Sequence, residues 1–197
     1  MTLASVGGPL LIVGLGNPGR DYRSQRHNVG FMVLDHLAAL CGEGFARRQR
    51  KALVAEVRLA GRKALLAKPQ TFMNLAGASV ARLSGYYRIE NANLLVVCDD
   101  LDLPLGSLRL RPFGGSAGHK GLRSIFDHLG TQDFPRLRVG IGRPPGRMDP
   151  AAYVLQPFGR DELAEITGVI DRAVDCIGLF ASEGIETAMA RFNAPSA

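Results

Sequence analysis

Four side chains in this chain carry the types that hydrolytic chemistry needs: His27, Asp99, Asn17 and Asn74. Asn17 follows the apolar run 10–15 and Gly16, Asp99 follows the apolar run 94–97 and Cys98, and Asn74 follows Phe72 and Met73. His27 lies in the polar stretch Asp21-Tyr22-Arg23-Ser24-Gln25-Arg26-His27-Asn28, just ahead of a helical pattern. Short apolar runs bounded by glycine or polar residues read as buried strands. An open α/β sheet keeps its ligands at the carboxyl ends of such strands, so Asn17, Asn74 and Asp99 share one rim. A histidine backed by a carboxylate can take a proton from water, and carboxamides can grip a carbonyl as charge develops on it. Hydrolysis by activated water is the chemistry this set allows. Each residue also has a local reading: Asn17 as a turn residue, Asn74 as a helix N-cap, His27 as a solvated loop side chain.

No covalent nucleophile competes with water. Ser79, Ser84, Ser116 and Ser124 lack a Gly-x-Ser-x-Gly frame, and Cys98 has no neighbouring base in the sequence. Gly14, Gly16 and Gly19 do match Gly-x-Gly-x-x-Gly directly after a strand, the fingerprint of dinucleotide binding. Pro18 removes an N–H where a pyrophosphate needs a donor, and the next helix begins near Asn28 rather than at the glycines. The stretch 57–61 also lacks the acidic residue that would hold a ribose. These glycines read better as close access for a substrate to the backbone, with Asn17 projecting from the strand end.

The elements that must position these residues alternate along the chain. Strands are predicted at 10–15, 94–97 and 136–142, an alternating strand at 107–111, and a hairpin of 52–59 with 63–67. Helical spacing covers 29–40, 75–87, 122–129, 161–180 and 185–192, with Asn28 as N-cap of the first and Gly42 as its stop. Residues 47–51 read as a solvated basic loop, 114–121 as a second glycine-rich loop, and 143–150 as a loop. This order predicts an α/β protein, the hairpin making its sheet mixed rather than wholly parallel. At 197 residues the chain is read as a single domain spanning 1–197.

Bulk properties narrow the partners. Lys and Arg total 24 against 18 Asp and Glu, a net charge of +6 that suits an acidic partner such as nucleic acid, although solubility alone also accounts for it. Cys41, Cys98 and Cys176 are odd in number and scattered, without zinc spacing, so neither a disulfide framework nor a structural metal is expected. Residues 1–8 carry no basic leader pattern, and no run approaches the roughly 20 apolar residues of a membrane span. A reducing, cytoplasmic setting and no membrane partner are the expectation.

Several motifs recur in one order: Val13-Gly14-Leu15-Gly16-Asn17-Pro18-Gly19; Tyr22 with Arg26-His27-Asn28; Thr71-Phe72-Met73-Asn74; Asp99-Asp100-Leu101-Asp102-Leu103-Pro104; Gly114-Gly115-Ser116-Ala117-Gly118-His119; and Arg136-Leu137-Arg138-Val139-Gly140-Ile141-Gly142. On them the chain resembles the bacterial-type peptidyl-tRNA hydrolases over nearly its whole length. The resemblance implies a monomeric, cofactor-free and metal-free enzyme, a three-layer α/β/α domain with a twisted mixed sheet. It implies cleavage of the ester between a peptide and the 3′ end of tRNA, recycling tRNA from peptidyl-tRNA that leaves ribosomes. By the same resemblance His27 is the general base, Asp99 orients it, and Asn17 and Asn74 hold the substrate. Met73, Phe72 and Tyr22 line the cleft, His119 belongs to the substrate site, and Arg109, Arg111 and Arg138 contact the tRNA. Three residues depart from the family pattern: Cys98 replaces a frequent histidine, Asp100 a glutamate, and Lys120 an asparagine. Lys120 suits a phosphate contact instead. A noncatalytic RNA-binding protein keeps the basic rim without needing the His27–Asp99 pair, and a nucleotide-dependent oxidoreductase requires NAD(P) binding.

Overall fold

Alternation along the first strand decides the architecture. In β1 (Leu10–Gly14), Leu10 and Ile12 belong to one apolar core and Leu11 and Val13 to another, and all four side chains are fully buried. A strand apolar on both faces has to be covered on both faces. The computed structural model describes residues 7–194, so the expectation stated for residues 1–8 falls mostly outside it.

The remaining strands are β2 (Arg47–Gln49), β3 (Ala52–Leu59), β4 (Arg62–Pro69), β5 (Leu94–Asp100), β6 (Leu108–Arg111) and β7 (Arg136–Gly140). They form one sheet in the order β2-β3-β4-β1-β5-β7-β6. The central pairs β4–β1, β1–β5 and β5–β7 are parallel, and the pairs toward both edges are antiparallel. Helices α1 (Val29–Leu40), α5 (Leu163–Glu183) and α6 (Ile185–Phe192) cover the face of Leu10 and Ile12. Helices α2 (Ala76–Tyr87) and α3 (Lys120–Leu129) cover the other. The mixed sheet between two helical layers is the α/β/α architecture expected. Among the described residues no helix is long and apolar enough to cross a membrane.

Local differences from the sequence reading have physical causes. Residues 47–49 are an edge strand rather than loop, because β3 supplies the pairing partner that their own polar pattern does not advertise. Residues 150–154, at the end of the expected loop, form the short helix α4 (Pro150–Val154), with proline in its first turn where a missing N–H costs nothing. Asn28 stands at the N-cap position of α1, but its side chain does not cap the helix. Asn74 lies inside a one-turn 3-10 segment, Met73–Leu75, that precedes α2, so it is not that helix's cap.

The glycine-rich turn is also corrected. A side chain on Gly14 would strike the carbonyl of Gly30, and one on Gly30 would strike the carbonyl of Val97 and the backbone of Leu15. A side chain on Gly16 would overlap the Phe31 ring. Gly14 and Gly16 are therefore occupied by the start of α1 and not open to a substrate. Their smallness lets a helix backbone rest directly on β1 and β5.

Candidate active site

That contact sets the position of His27. The residue sits on the 3-10 turn Arg26–Asn28, which runs straight into α1. Asn28 ties the turn to β1: its Nδ2 donates to the Asn17 carbonyl at 2.9 Å, and its Oδ1 accepts the Asn17 N–H at 2.9 Å. On the other side, buried Arg26 reaches Glu162 through two bonds, of 2.9 and 2.7 Å, and lies over the rings of Tyr153 and Phe158. The Arg26 N–H also donates to the Gln156 carbonyl.

Hydrogen bonding from Arg26 is the largest influence on the Glu162 carboxyl and holds it below its ordinary value. Its stabilising contribution is therefore complete above the ordinary carboxylate range and disappears as pH falls through the lower folded value. Removing Glu162 leaves the Arg26 guanidinium buried and unpaired, and a lost hydrogen bond to a charged group costs about 1.5–3 kcal/mol. Glu162→Ala is expected to lower Tm by roughly 4–8 °C near neutral pH. The gap from the parent should close in acid; a gap that persists there in thermal melts would assign the effect to something other than this ion pair.

Asp99 lies within β5, paired in register with Val139 of β7, rather than just beyond the strand as the sequence suggests. One of its oxygens, Oδ1, receives two imidazoles: His27 Nδ1 at 2.8 Å and His119 Nε2 at 3.0 Å. The two rings are tilted, their centroids 4.9 Å apart. Burial alone would push the Asp99 carboxyl up, but the charges and hydrogen bonds of His119 and His27 override it and hold the group well below the usual carboxylate range. Asp99 is thus a fixed anion that only accepts.

The hydrogen bonds also assign both tautomers. His119 is the N-cap of α3, and its Nδ1 accepts the backbone N–H groups of Gly121 and Leu122 at 3.1 and 3.3 Å. A nitrogen that accepts carries no proton, so the proton of neutral His119 is on Nε2 and is donated to Asp99. His27 likewise donates from Nδ1, which leaves its Nε2 lone pair without a partner among the described residues. Ligand atoms of His27, Asp99 and His119 lie within 4.8 Å of one another, a spacing that also suits a metal ion. Coordination through His119 Nε2 would require the proton to move to Nδ1, against the two N–H groups it caps. The donor set therefore fits a hydrogen-bonded triad better than a metal centre.

The triad opens into a cavity of about 760 Å³. Asn17, Phe72, Met73, Asn74, Lys120 and Arg138 line it together with His27, Asp99 and His119. Asn17 Oδ1 accepts the Met73 N–H at 3.0 Å, which turns Nδ2 away from that contact and leaves it without a partner among the described residues. A side chain on Gly121 would strike Met73, Leu15 and His119, so the start of α3 packs closely against these residues. Asn74 and Phe72 are exposed at the mouth. Leu101, Val154 and Leu155 add apolar surface to the lining.

Tyr22, Arg109 and Arg111 lie outside that lining. The Tyr22 ring packs beside Gly19. Arg109 and Arg111 sit on edge strand β6, opposite Arg138 and Arg136 of β7, so successive arginines descend from the rim along the sheet. Arg138 stays at the rim with Nε 3.0 Å from Asp100 Oδ2. Arg136, by contrast, is fully buried and donates to the carbonyls of Gly114, Gln132 and Phe134, pinning the glycine-rich loop. The roles of Arg136, Arg26 and the His119 cap were not legible from sequence. Only the position of His119 just ahead of a helical pattern offered a signal.

Cys98 is fully buried beside Asp99, and burial pushes its thiol well up, so it is no nucleophile.

Comparison with known proteins places the whole chain in a family. The peptidyl-tRNA hydrolase family profile matches residues 11–197. A peptidyl-tRNA hydrolase of Frankia alni is 50% identical over 187 residues, covering 95% of each chain. One of Mycobacterium tuberculosis is 49% identical over 94% of this chain and 98% of its own. The crystal structure of peptidyl-tRNA hydrolase from Acinetobacter baumannii superposes with a TM-score of 0.89 at 35% identity, covering 94% of both chains. On its sequence and its fold, this chain belongs to the peptidyl-tRNA hydrolase family.

Proposed function

We propose that the chain hydrolyses the ester between a peptide, or an N-blocked amino acid, and the 3′ end of tRNA, with His27 as general base. The observation that carries this reading is the unpartnered Nε2 of His27 facing the cavity while Nδ1–H is held by Asp99. Water next to Nε2 gives up a proton as its oxygen attacks the ester carbonyl. The tetrahedral intermediate then collapses by breaking the bond to the ribose oxygen, which takes the proton back from the imidazolium. An ester needs no covalent intermediate for this, because its alkoxide departs more readily than an amine.

Asp99 orients the ring and supports the imidazolium without itself changing charge. The free Nδ2 of Asn17 supplies a donor toward the developing oxyanion, and Asn74 positions the substrate at the mouth. A positioned amide donor contributes about 2.7–4 kcal/mol to such a step. Lys120, Arg138 and, farther along the sheet, Arg109 and Arg111 offer cations to the acceptor-end phosphates. A single domain built on one sheet with cores on both faces supports treating the chain as one catalytic unit.

The test is release of free tRNA from N-acetyl-aminoacyl-tRNA by purified protein, without added metal or nucleotide. Stoichiometric tRNA binding with no ester cleavage would instead favour a noncatalytic RNA-binding protein.

A further inference from the structure

Unusual backbone geometry is found away from the triad, at the tip of the β2–β3 hairpin. Gln49 pairs with Ala52, so Arg50 and Lys51 are the central residues of a two-residue turn, with φ of 49° and 64°. Positive φ at both positions is the type I′ geometry, for which Asn-Gly is the favoured occupant. The β3–β4 hairpin makes a comparable turn from Ala60 and Gly61, with φ of 48° and 79°. There glycine relieves the second position. At the β2–β3 tip both positions are long, exposed cations held in a conformation that disfavours them.

The tip is docked on the site's edge of the sheet. The Lys51 carbonyl accepts the Gln70 N–H at 2.7 Å, two residues before Phe72, and the Arg50 carbonyl accepts the Ser79 hydroxyl at 2.8 Å. The Arg50 guanidinium lies 4.6 Å from the centre of the exposed Tyr86 ring. Arg82, also exposed, stands one helical turn before Tyr86 on α2. Arg47 is bonded to Glu56, whereas Arg50, Lys51 and Arg82 have no carboxylate partner among the described residues.

We propose that Arg50, Lys51 and Arg82, with Tyr86, form a second nucleic-acid contact that takes the phosphodiester backbone of the tRNA body, away from the ester. Phosphate contacts of this kind position a nucleic acid without reading its sequence, and they release counterions. The stack on Tyr86 holds the Arg50 guanidinium in place, so less freedom is lost when a phosphate binds. Charge also protects an exposed edge strand from pairing with another chain, but Arg47 and Arg48 already serve that purpose within β2. This inference rests on the proposed substrate.

The turn geometry supplies the test. Arg50→Asn with Lys51→Gly installs the favoured type I′ occupants and removes two charges, so Tm is expected to hold or rise. KM for N-acetyl-aminoacyl-tRNA, and Kd for uncharged tRNA, should rise on the order of tenfold at low salt. The log–log salt dependence of binding should flatten by about two. A trinucleotide carrying the same N-blocked aminoacyl ester has no tRNA body, and both proteins should turn it over alike. Unchanged tRNA binding and salt slope would overturn the contact, as would equal losses on both substrates. Binding of uncharged tRNA decides the contact even where the parent hydrolyses neither ester, a result that would count against the proposed function alone.

Discussion

His27→Ala is expected to cut turnover of N-acetyl-aminoacyl-tRNA by about 10³–10⁴-fold, at the upper end of what one general base contributes. The size follows from the absence of a substitute. His119, the other imidazole in the triad, has Nδ1 committed to two backbone N–H groups and Nε2 to Asp99. The thiol of Cys98 is raised and buried, so neither of these groups takes over from His27. The fold should tolerate the change. Asp99 keeps its hydrogen bond from His119, so no buried carboxylate is stranded, and the turn that carried His27 stays fixed by Asn28 and Arg26. Single-turnover kinetics beside a thermal melt separate the two effects. Undiminished turnover in this variant would remove His27 as the base.

At Asp99 the chemistry of the replacement should matter more than its size. Asp99→Ala removes the acceptor shared by two N–H groups, leaving both donors buried and His27 free to place its proton on either nitrogen. The wrong tautomer has no lone pair on Nε2, and a loss of about 10³-fold in kcat is expected. Asp99→Asn keeps a carbonyl oxygen at the same place and loses only the charge that supports the imidazolium. Its loss should be smaller, about 10- to 100-fold, and smaller than that of His27→Ala. Because the parent carboxyl is held well below the usual carboxylate range, it stays ionised wherever rates are measured, and the Asn variant should lag throughout. Equal activity of Asp99→Asn and parent across pH would argue against an orienting role.

Elements whose information is local were legible in the sequence. The run 10–15 could only be a buried strand, and the alternation of runs and helical spacings pointed to a mixed α/β sheet. The proximity of Asn17, Asn74 and Asp99 followed from strand ends, which topology places together. What stayed hidden was set by partners distant in the chain. Arg47–Gln49 carries no strand pattern, and its turn is built from Arg50 and Lys51 rather than Asn-Gly, so only pairing with β3 reveals it. Asn28 looked like a cap because Asn before a helix commonly is one, but its side chain binds Asn17, 11 residues away. In the strand pattern 136–142 nothing sets Arg136 apart from Arg138. The role of Arg136 depends on carbonyls from the glycine-rich loop and from residues 132–134, which no periodicity encodes. The glycines of β1 were legible as a requirement for close approach, but not as to what approaches, since Gly30 lies in a separate element.

The bond from His119 to the first amides of α3 gives this site an internal spectroscopic reporter. Nδ1 of His119 can accept those N–H groups only while that nitrogen carries no proton. Any event that protonates His119, or draws its Nε2 away from Asp99, has to be felt at the amides of Gly121 and Leu122. Their NMR shifts and exchange rates thus follow the charge of the triad in the resting protein, with neither a substrate nor a label in the cavity.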